Sequence, residues 1–481
     1  MLPRKSNKII SEINDFFTSS EKVISKVSEL FKSLKLSNVN LGIVQAEQSK
    51  YPKSDLLLLL LLYPLYSVSN MNGYLQNAFS KHIEAKKDTF YRFKNDSKVN
   101  WRRILYMVNS ILIKQCDTKG NEDKTSPNCL IVDDSDLPKT GKRIEHLGKV
   151  WSHTMQRSIL GFKGLMLGYW NSKSFIGLDF SLHKEKGRNK KFPFGMRKKD
   201  IKIQYSKQRE KGSYGKARES ELFKDKIKIS VSMIKRAIRH KIRFRYVLMD
   251  SWFVCAYTIR EVRNTGHHLV GMAKMGNTNY LYGSKSITAH QISESLKRKK
   301  LVKRYRKLGM HAAEAIVYLD GIPVKLVFCR LKRSGKWNLL VTTDTSLNAE
   351  ETFRIYSIRW SIEVFFKETK QYFGLGKSQS RDFDAQIADT TICVISYNIF
   401  SIAKRFTSYE TLGELFRETS ITILEMTICQ RLWGLFLEII SIISDLFDVE
   451  PESLMKTVIE ADVTKNNKLI RFLDNTMSNA A

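Results

Sequence analysis

The chain has 481 residues, enough for two or three domains with sizeable cores, and an apolar share of 42% excludes wholesale disorder. Its 81 Lys and Arg face only 48 Asp and Glu, a net charge of +33. Such an excess attracts polyanions, and nucleic acid is the natural partner because each neutralised phosphate releases counterions.

Residues 1–105 read as helical. Lys22 to Leu36 carries apolar residues at helical spacing. The seven leucines from Leu56 to Leu62 continue apolar only to Val68 with Pro64 inside. That is too short for a bilayer, which needs about 20 apolar residues, and it reads as a buried helix. Asn70 to Ser80 and Lys87 to Asn95 read as two helices joined by a turn. The second mixes Phe90, Tyr91 and Phe93 with Lys87, Arg92 and Lys94. That mixture suits a helix laid on DNA and equally a surface helix with its aromatics in the core. The mixed polar N-terminal stretch does not read as a signal peptide, so none is expected, and a cytoplasmic location is expected.

From Asn128 the texture changes. Cys129 to Val132 is a short apolar strand running into Asp133, Asp134, Ser135 and Asp136. Ser158 to Tyr169 and Ser174 to Leu182 are further strands. Lys184 to Lys216 is Lys- and Gly-rich and reads as an exposed arm, a solvated charge run. Ala217 to Lys241 is an amphipathic helix, Arg245 to Asp250 a strand, Phe253 to Asn264 a helix and His267 to Ala273 a strand, an α/β alternation. Turn signals at Gly276-Asn277, Asp320-Gly321 and Ser334-Gly335 mark β-rich sequence up to Thr343. Ala349 to Phe373 reads as one long helix, and the remainder is helical again. The six cysteines are scattered without a CxxC pair, so neither a zinc site nor a disulfide framework is expected.

Two aspartates share a context: Asp133 follows Leu-Ile-Val and Asp250 follows Val-Leu-Met. Carboxylates at the ends of neighbouring strands can converge, and burying them is costly unless a cation or partner compensates. A third candidate is Glu363. Helical spacing puts Tyr356, Arg359, Glu363 and Lys370 on one stripe, with Ile358, Ile362, Phe365 and Phe366 beside it. Composition alone reads Arg359 and Glu363 as a stabilising i, i+4 ion pair.

The pattern Y-x2-R-x3-E-x6-K formed by Tyr356, Arg359, Glu363 and Lys370 resembles the signature of the IS-four group of bacterial insertion-sequence transposases. Asp133-Asp-Ser resembles that group's first motif, and Asp250 in Leu-Met-Asp-Ser-Trp-Phe its second. The likeness spans roughly residues 128–400. It implies an α/β fold with a ribonuclease-H-like catalytic core (128–276 and 344–400). A β-rich insertion (277–343) would interrupt it, flanked by a helical N-terminal DNA-end-binding region (1–105) and a helical C-terminal region (401–481) that supports dimerisation. It also implies that Asp133, Asp250 and Glu363 ligate two Mg2+ ions, with Mn2+ as a substitute, and cut and join DNA. Hard cations take oxygen ligands, and a pair about 4 Å apart can activate the attacking oxygen and stabilise the leaving one.

By the same resemblance Arg359, Lys370 and Tyr356 contact DNA phosphates. Trp337, in a stretch similar to W-x-L-L-x-T, stacks on a flipped base during a hairpin step; alternatively, it is a core tryptophan of the insertion. The expected partners are double-stranded DNA, both element ends and target, and a second copy of the chain in a homodimer. Asp134 and Asp136 compete with Asp133 for the first position; strand alternation turns Asp134 to the opposite face, and the D-x-S pattern favours Asp133. Lys139, Gly141 and His146 follow the motif, and no role is expected for His146. A structure-selective nuclease with the same three carboxylates, and a non-catalytic DNA-binding regulator, are the competing readings.

Overall fold

The computed structural model describes residues 22–447 except 45–48, 67, 69, 78–84, 119–125, 188 and 332–334, together with a few positions between 449 and 457. The expected helix from Asn70 to Ser80 lies partly outside the described residues, as do the turn at Ser334 and the end of the C-terminal region.

One twelve-stranded mixed sheet runs through the molecule. Its strands are β1 (Cys129–Pro138), β2 (Gly148–Ser152), β3 (Arg157–Trp170), β4 (Phe175–His183), β5 (Tyr246–Met249) and β6 (His268–Ala273). There follow β7 (Asn279–Tyr282), β8 (Lys285–Thr288), β9 (Lys303–Tyr305), β10 (Met310–Leu319), β11 (Ile322–Arg330) and β12 (Asn338–Thr342). The order is β2-β3-β1-β5-β6-β12-β11-β10-β7-β8, with β4 on β3 and β9 on β10. β3 is antiparallel to β1 and β4, while β5 and β6 run parallel to β1. The parallel strands need crossovers, supplied by helix Lys226–Arg239 before β5 and helix Ala256–Arg263 before β6.

Apolar content decides which strands are central. All four residues of β5 and all nine of β4 are buried, so both faces of these strands are covered. β4 is packed by helix Trp101–Thr118, helix Lys226–Arg239 and the long helix Phe383–Arg405. The leucine run forms helix Lys53–Leu62, with Leu56, Leu57, Leu60 and Leu61 buried. In helix Lys87–Lys94, Phe90 and Phe93 are core while Tyr91 is exposed; Lys94 pairs with Asp389 at 2.9 Å. Two of its three aromatics therefore serve packing. Among the described residues, no helix is long and apolar enough to cross a membrane.

Four expectations are corrected. β1 does not end at Asp133 but continues to Pro138, because Asp133 to Pro138 still pair with β3. The segment expected as one helix from Ala217 to Lys241 forms two, Tyr214–Glu221 and Lys226–Arg239; Asp225 caps the second by accepting from the amides of Ile227 and Lys228. The segment Ala349 to Phe373 is likewise two helices, Ala349–Ser357 and Trp360–Tyr372. They meet at a tighter turn in which the amides of Ile358, Arg359, Ser361 and Ile362 bond three residues back.

The stretch Lys184 to Lys216 is not a solvated charge run throughout. Arg209 is fully buried. It donates to Glu145 at 2.9 and 2.6 Å and to Asp384 at 3.1 and 3.2 Å, and Lys207 joins Asp382 and Asp384. These bonds bind the segment to the start of helix Phe383–Arg405. The segment between 277 and 343 folds as strands β7 to β12 with one helix, Ala289–Arg298, among them.

Candidate active site

The register of the parallel strands builds the site. Val132 of β1 pairs with Met249 of β5, and this is the last parallel pair between them. Asp133 and Asp250 are the next residues, one on each strand. Asp250 opens a turn in which its Oδ1 accepts from the amides of Trp252 at 2.9 Å and Phe253 at 3.3 Å. An aspartate that receives two backbone N–H groups has a fixed carboxylate orientation. In Asp133, Oδ1 accepts from the Asp134 amide at 2.8 Å, and Oδ2 points at the helix that follows the tight turn.

That helix brings the third carboxylate. Arg359 donates from Nη1 to Asp133 Oδ2 at 2.8 Å and from Nη2 to Glu363 Oε1 at 2.5 Å. One guanidinium therefore ties the strand-borne and helix-borne carboxylates together. Its buried Nε has no partner among the described residues. The i, i+4 ion pair anticipated from composition exists, but Arg359 also reaches a residue 226 positions away in sequence. Lys370 donates to Ser135 Oγ at 2.8 Å. Asp133 and Ser135 share one face of β1 and meet the stripe of Arg359 and Lys370; Asp134 and Asp136 share the other.

That other face is paired with different lysines. Asp134 Oδ2 accepts from Lys226 at 2.5 Å, and Asp136 Oδ1 from Lys163 at 2.6 Å. Asp133 is thus the member of the cluster that lies with Asp250 and Glu363. Its carboxyl is pushed up to about 7, first by burial and then by the nearby Asp250 charge, against the pull of Arg359. Burial lowers the Lys370 ammonium, opposed by Asp136.

Tyr356 is half-buried and its phenol is raised by burial; the Arg359 guanidinium carbon lies 5.7 Å from its ring centroid. Tyr356, Arg359, Glu363 and Lys370 therefore share one flank of the carboxylate centre despite the break between the helices. Trp337 is not packed with them. It precedes β12, partly buried, with the Arg330 guanidinium 4.5 Å and the Lys297 ammonium 5.6 Å from its ring centre. The row Val132, Met249, Gly271, Val341 crosses β1, β5, β6 and β12. β12 runs antiparallel to β6, so Trp337 sits beyond this row on the same side as Asp133 and Asp250, two strands across from Asp250.

A different group satisfies a stricter test for metal ligation. Among the described residues, the one set of three such side chains with ligating atoms all within 4.8 Å of one another is Glu145, His146 and Glu219. Arg209 already neutralises it, 2.6 Å from Glu145 and 3.7 Å from Glu219. A cation there would meet a buried guanidinium, so this cluster is an ion-pair network that closes the fold. The motif carboxylates are more widely spaced, with Arg359 between two of them.

Residues 211–399 match the family model of the transposase DDE domain. That match supports a transposase of the DDE superfamily. It takes in Asp250, Glu363 and the Tyr356–Lys370 stripe, and it begins after Asp133, whose place rests on the β1–β5 register and the bond from Arg359. No curated protein matches the chain. Two parts of the candidate site escaped the sequence reading. Ser135 was part of the D-x-S pattern but its partner Lys370 was not foreseeable. Lys226, which pairs with Asp134 and lies 4.1 Å from the Trp252 ring centre, carries no signal beyond being one lysine among many.

Proposed function

We propose that the chain is a DNA transposase that cleaves the ends of its mobile element and joins the 3′-hydroxyl ends to target DNA by two-metal-ion phosphoryl transfer. The observation that carries this reading is Arg359, which bridges Asp133 on a strand and Glu363 on a distant helix, with Asp250 following the strand paired beside Asp133. The sheet order β4-β3-β1-β5-β6 and its strand directions support a ribonuclease-H-like core.

The three carboxylates fit divalent metal. They are hard oxygen donors; Asp133 is buried and lies close enough to Asp250 for the two charges to oppose each other, which a cation between them would relieve. Asp133, Asp250 and Glu363 would hold two Mg2+ ions, or Mn2+, whose chemistry is to activate the attacking oxygen and stabilise the leaving one. The protein groups do the rest. Arg359, whose two Nη groups hold Asp133 and Glu363, has its Nε–H left for a phosphate oxygen. Lys370 supplies a point charge on the same flank, and Tyr356 a hydroxyl. Trp337, on the same side of the sheet, is the stacking residue of a cut-and-paste route through a hairpin. Base stacking on an aromatic side chain contributes about 1–3 kcal/mol per base. Pairing of two element ends by a homodimer completes the proposal.

The test is strand transfer with purified protein and a linear duplex carrying the element ends. Joining of a 3′-hydroxyl end to a plasmid is expected with Mg2+ and not with Glu363→Gln, which should still bind the duplex. Cleavage without joining would favour the structure-selective nuclease. Unchanged function in the Glu363→Gln protein would favour the non-catalytic regulator.

A further inference from the structure

β1 and helix Trp360–Tyr372, the two elements that bring Asp133 and Glu363 together, both run on past the carboxylates. They end in loops that pack on each other. The loop after β1 places the buried ammonium of Lys139 on the carbonyls of Gly376 (2.8 Å) and Ser378 (2.7 Å), which belong to the loop after the helix. Thr140 donates through its amide and its hydroxyl to Gln379 Oε1 at 3.3 and 3.1 Å. The Glu145 amide donates to the Arg381 carbonyl at 2.9 Å, and the Tyr205 amide to the Arg143 carbonyl at 2.8 Å. A cleft of about 390 Å3 opens between the loops, lined among others by Gly141, Lys142, Arg143 and Arg381.

Several arginines of the fold are already committed to carboxylates. Arg102, Arg209, Arg236, Arg245, Arg354 and Arg359 each hold a carboxylate within 3.1 Å. Arg143 and Arg381 are exposed, and among the described residues no carboxylate pairs with either. The nearest acid recorded at the cleft, Asp200, is already shared by Arg197 at 3.1 Å and Lys142 at 3.4 Å. Two uncommitted guanidinium forks therefore stand on backbones that are pinned to their neighbours. A Cβ on Gly141 would meet nothing within 4 Å, so the cleft is open on that side.

We infer that Arg143 and Arg381 form a phosphate clamp for the backbone of duplex DNA, outside the carboxylate centre. The ligand chemistry is the phosphodiester, which a guanidinium fork grips through two parallel bonds. From Asp133 to Pro138 the strand advances roughly 17 Å at about 3.3 Å per residue. The clamp lies on the loops beyond that strand and its partner helix, so it grips the backbone away from the cleavage point. It positions DNA and carries no sequence information.

This inference rests on the transposase reading, and the experiment separates the two. Affinity of the full-length chain for a fluorescein-labelled duplex is measured by anisotropy across a salt series. The unaltered chain, Glu363→Gln, Arg143→Ala/Arg381→Ala and Arg143→Lys/Arg381→Lys are compared. Each phosphate contact contributes about 0.9 to the slope of log affinity against log salt. The double alanine variant is expected to lose about two units of slope, while Glu363→Gln and the double lysine variant keep it. Both arginines are exposed, so their truncation leaves the core intact; coincident thermal melts check this. An unchanged slope in the double alanine variant, whatever its affinity, overturns the clamp. Absence of duplex binding by the unaltered chain overturns the transposase reading itself.

Discussion

Arg359 is joined to Asp133 at 2.8 Å across 226 residues of sequence, and the same guanidinium holds Glu363 at 2.5 Å. A lysine can hold only one of these carboxylates with a comparable geometry, because its charge is a point and not a fork. Arg359→Lys is therefore expected to lower strand cleavage by about tenfold to a hundredfold, the equivalent of one charge-assisted hydrogen bond of about 1.5–3 kcal/mol. Single-turnover cleavage of a labelled element end measures it. A rate within twofold of the unaltered chain would show that bridging two carboxylates is not part of the machinery.

Divalent metal should stabilise the fold through the three carboxylates. A ligand that binds only the folded state adds about 2.7 kcal/mol at a concentration a hundredfold above its Kd. Mg2+ or Mn2+ is expected to raise the thermal midpoint of the unaltered chain and to leave Asp250→Asn nearly unmoved, and EDTA should stop cleavage without releasing duplex DNA. An equal rise in both proteins would place the cation elsewhere; the Glu145, His146 and Glu219 cluster would then be the first place to look.

Arg209 has a different task. Its side chain is fully buried, and Glu145 and Asp384 beside it are almost so. Removing one partner of such a network leaves uncompensated buried charge, at a cost of about 3–5 kcal/mol. Arg209→Met is expected to lower urea stability by that amount, and a loss below about 1 kcal/mol would contradict the account.

Asp344 gives a pH signature. Burial alone would raise its carboxyl, but hydrogen bonds from Ser346 at 2.5 Å and Tyr246 at 3.0 Å, with the His268 charge nearby, hold it at about 2. Its folded value lies below the ordinary carboxylate value of about 3.9. The stability it contributes is therefore complete above about pH 4 and is lost as pH falls through about 2. The gap in stability between the unaltered chain and Asp344→Asn should be constant near neutrality and shrink across that window. Equilibrium unfolding at several acidic pH values records it, and a gap that persists undiminished at pH about 2 would contradict the assignment.

Much of the carboxylate centre was legible because the physics behind it is local. Leu-Ile-Val before Asp133 and Val-Leu-Met before Asp250 read as buried strands, and adjacent parallel strands bring their next residues together. The stripe of Tyr356, Arg359, Glu363 and Lys370 survived a break that the sequence did not announce, since a turn of three-residue bonds at Ile358–Ile362 preserves the approximate angular spacing. Other features were illegible for the opposite reason. β1 continues through four polar residues because β3 is there to pair with it, which no pattern within β1 reveals. The burial of Arg209 depends on Glu145 and Asp384, 64 and 175 residues away, and a basic stretch reads as solvated until such partners are known.

β12 is hydrogen-bonded along β6, and β6 along β5. The segment that carries Trp337 is thus stitched edgewise to the strand that carries Asp250, rather than hung from it by two tethers. A segment so attached cannot swing without tearing backbone bonds. Under the proposed function, whatever Trp337 touches would have to be carried to it, so the bending would fall to the DNA and the protein would serve as the anvil.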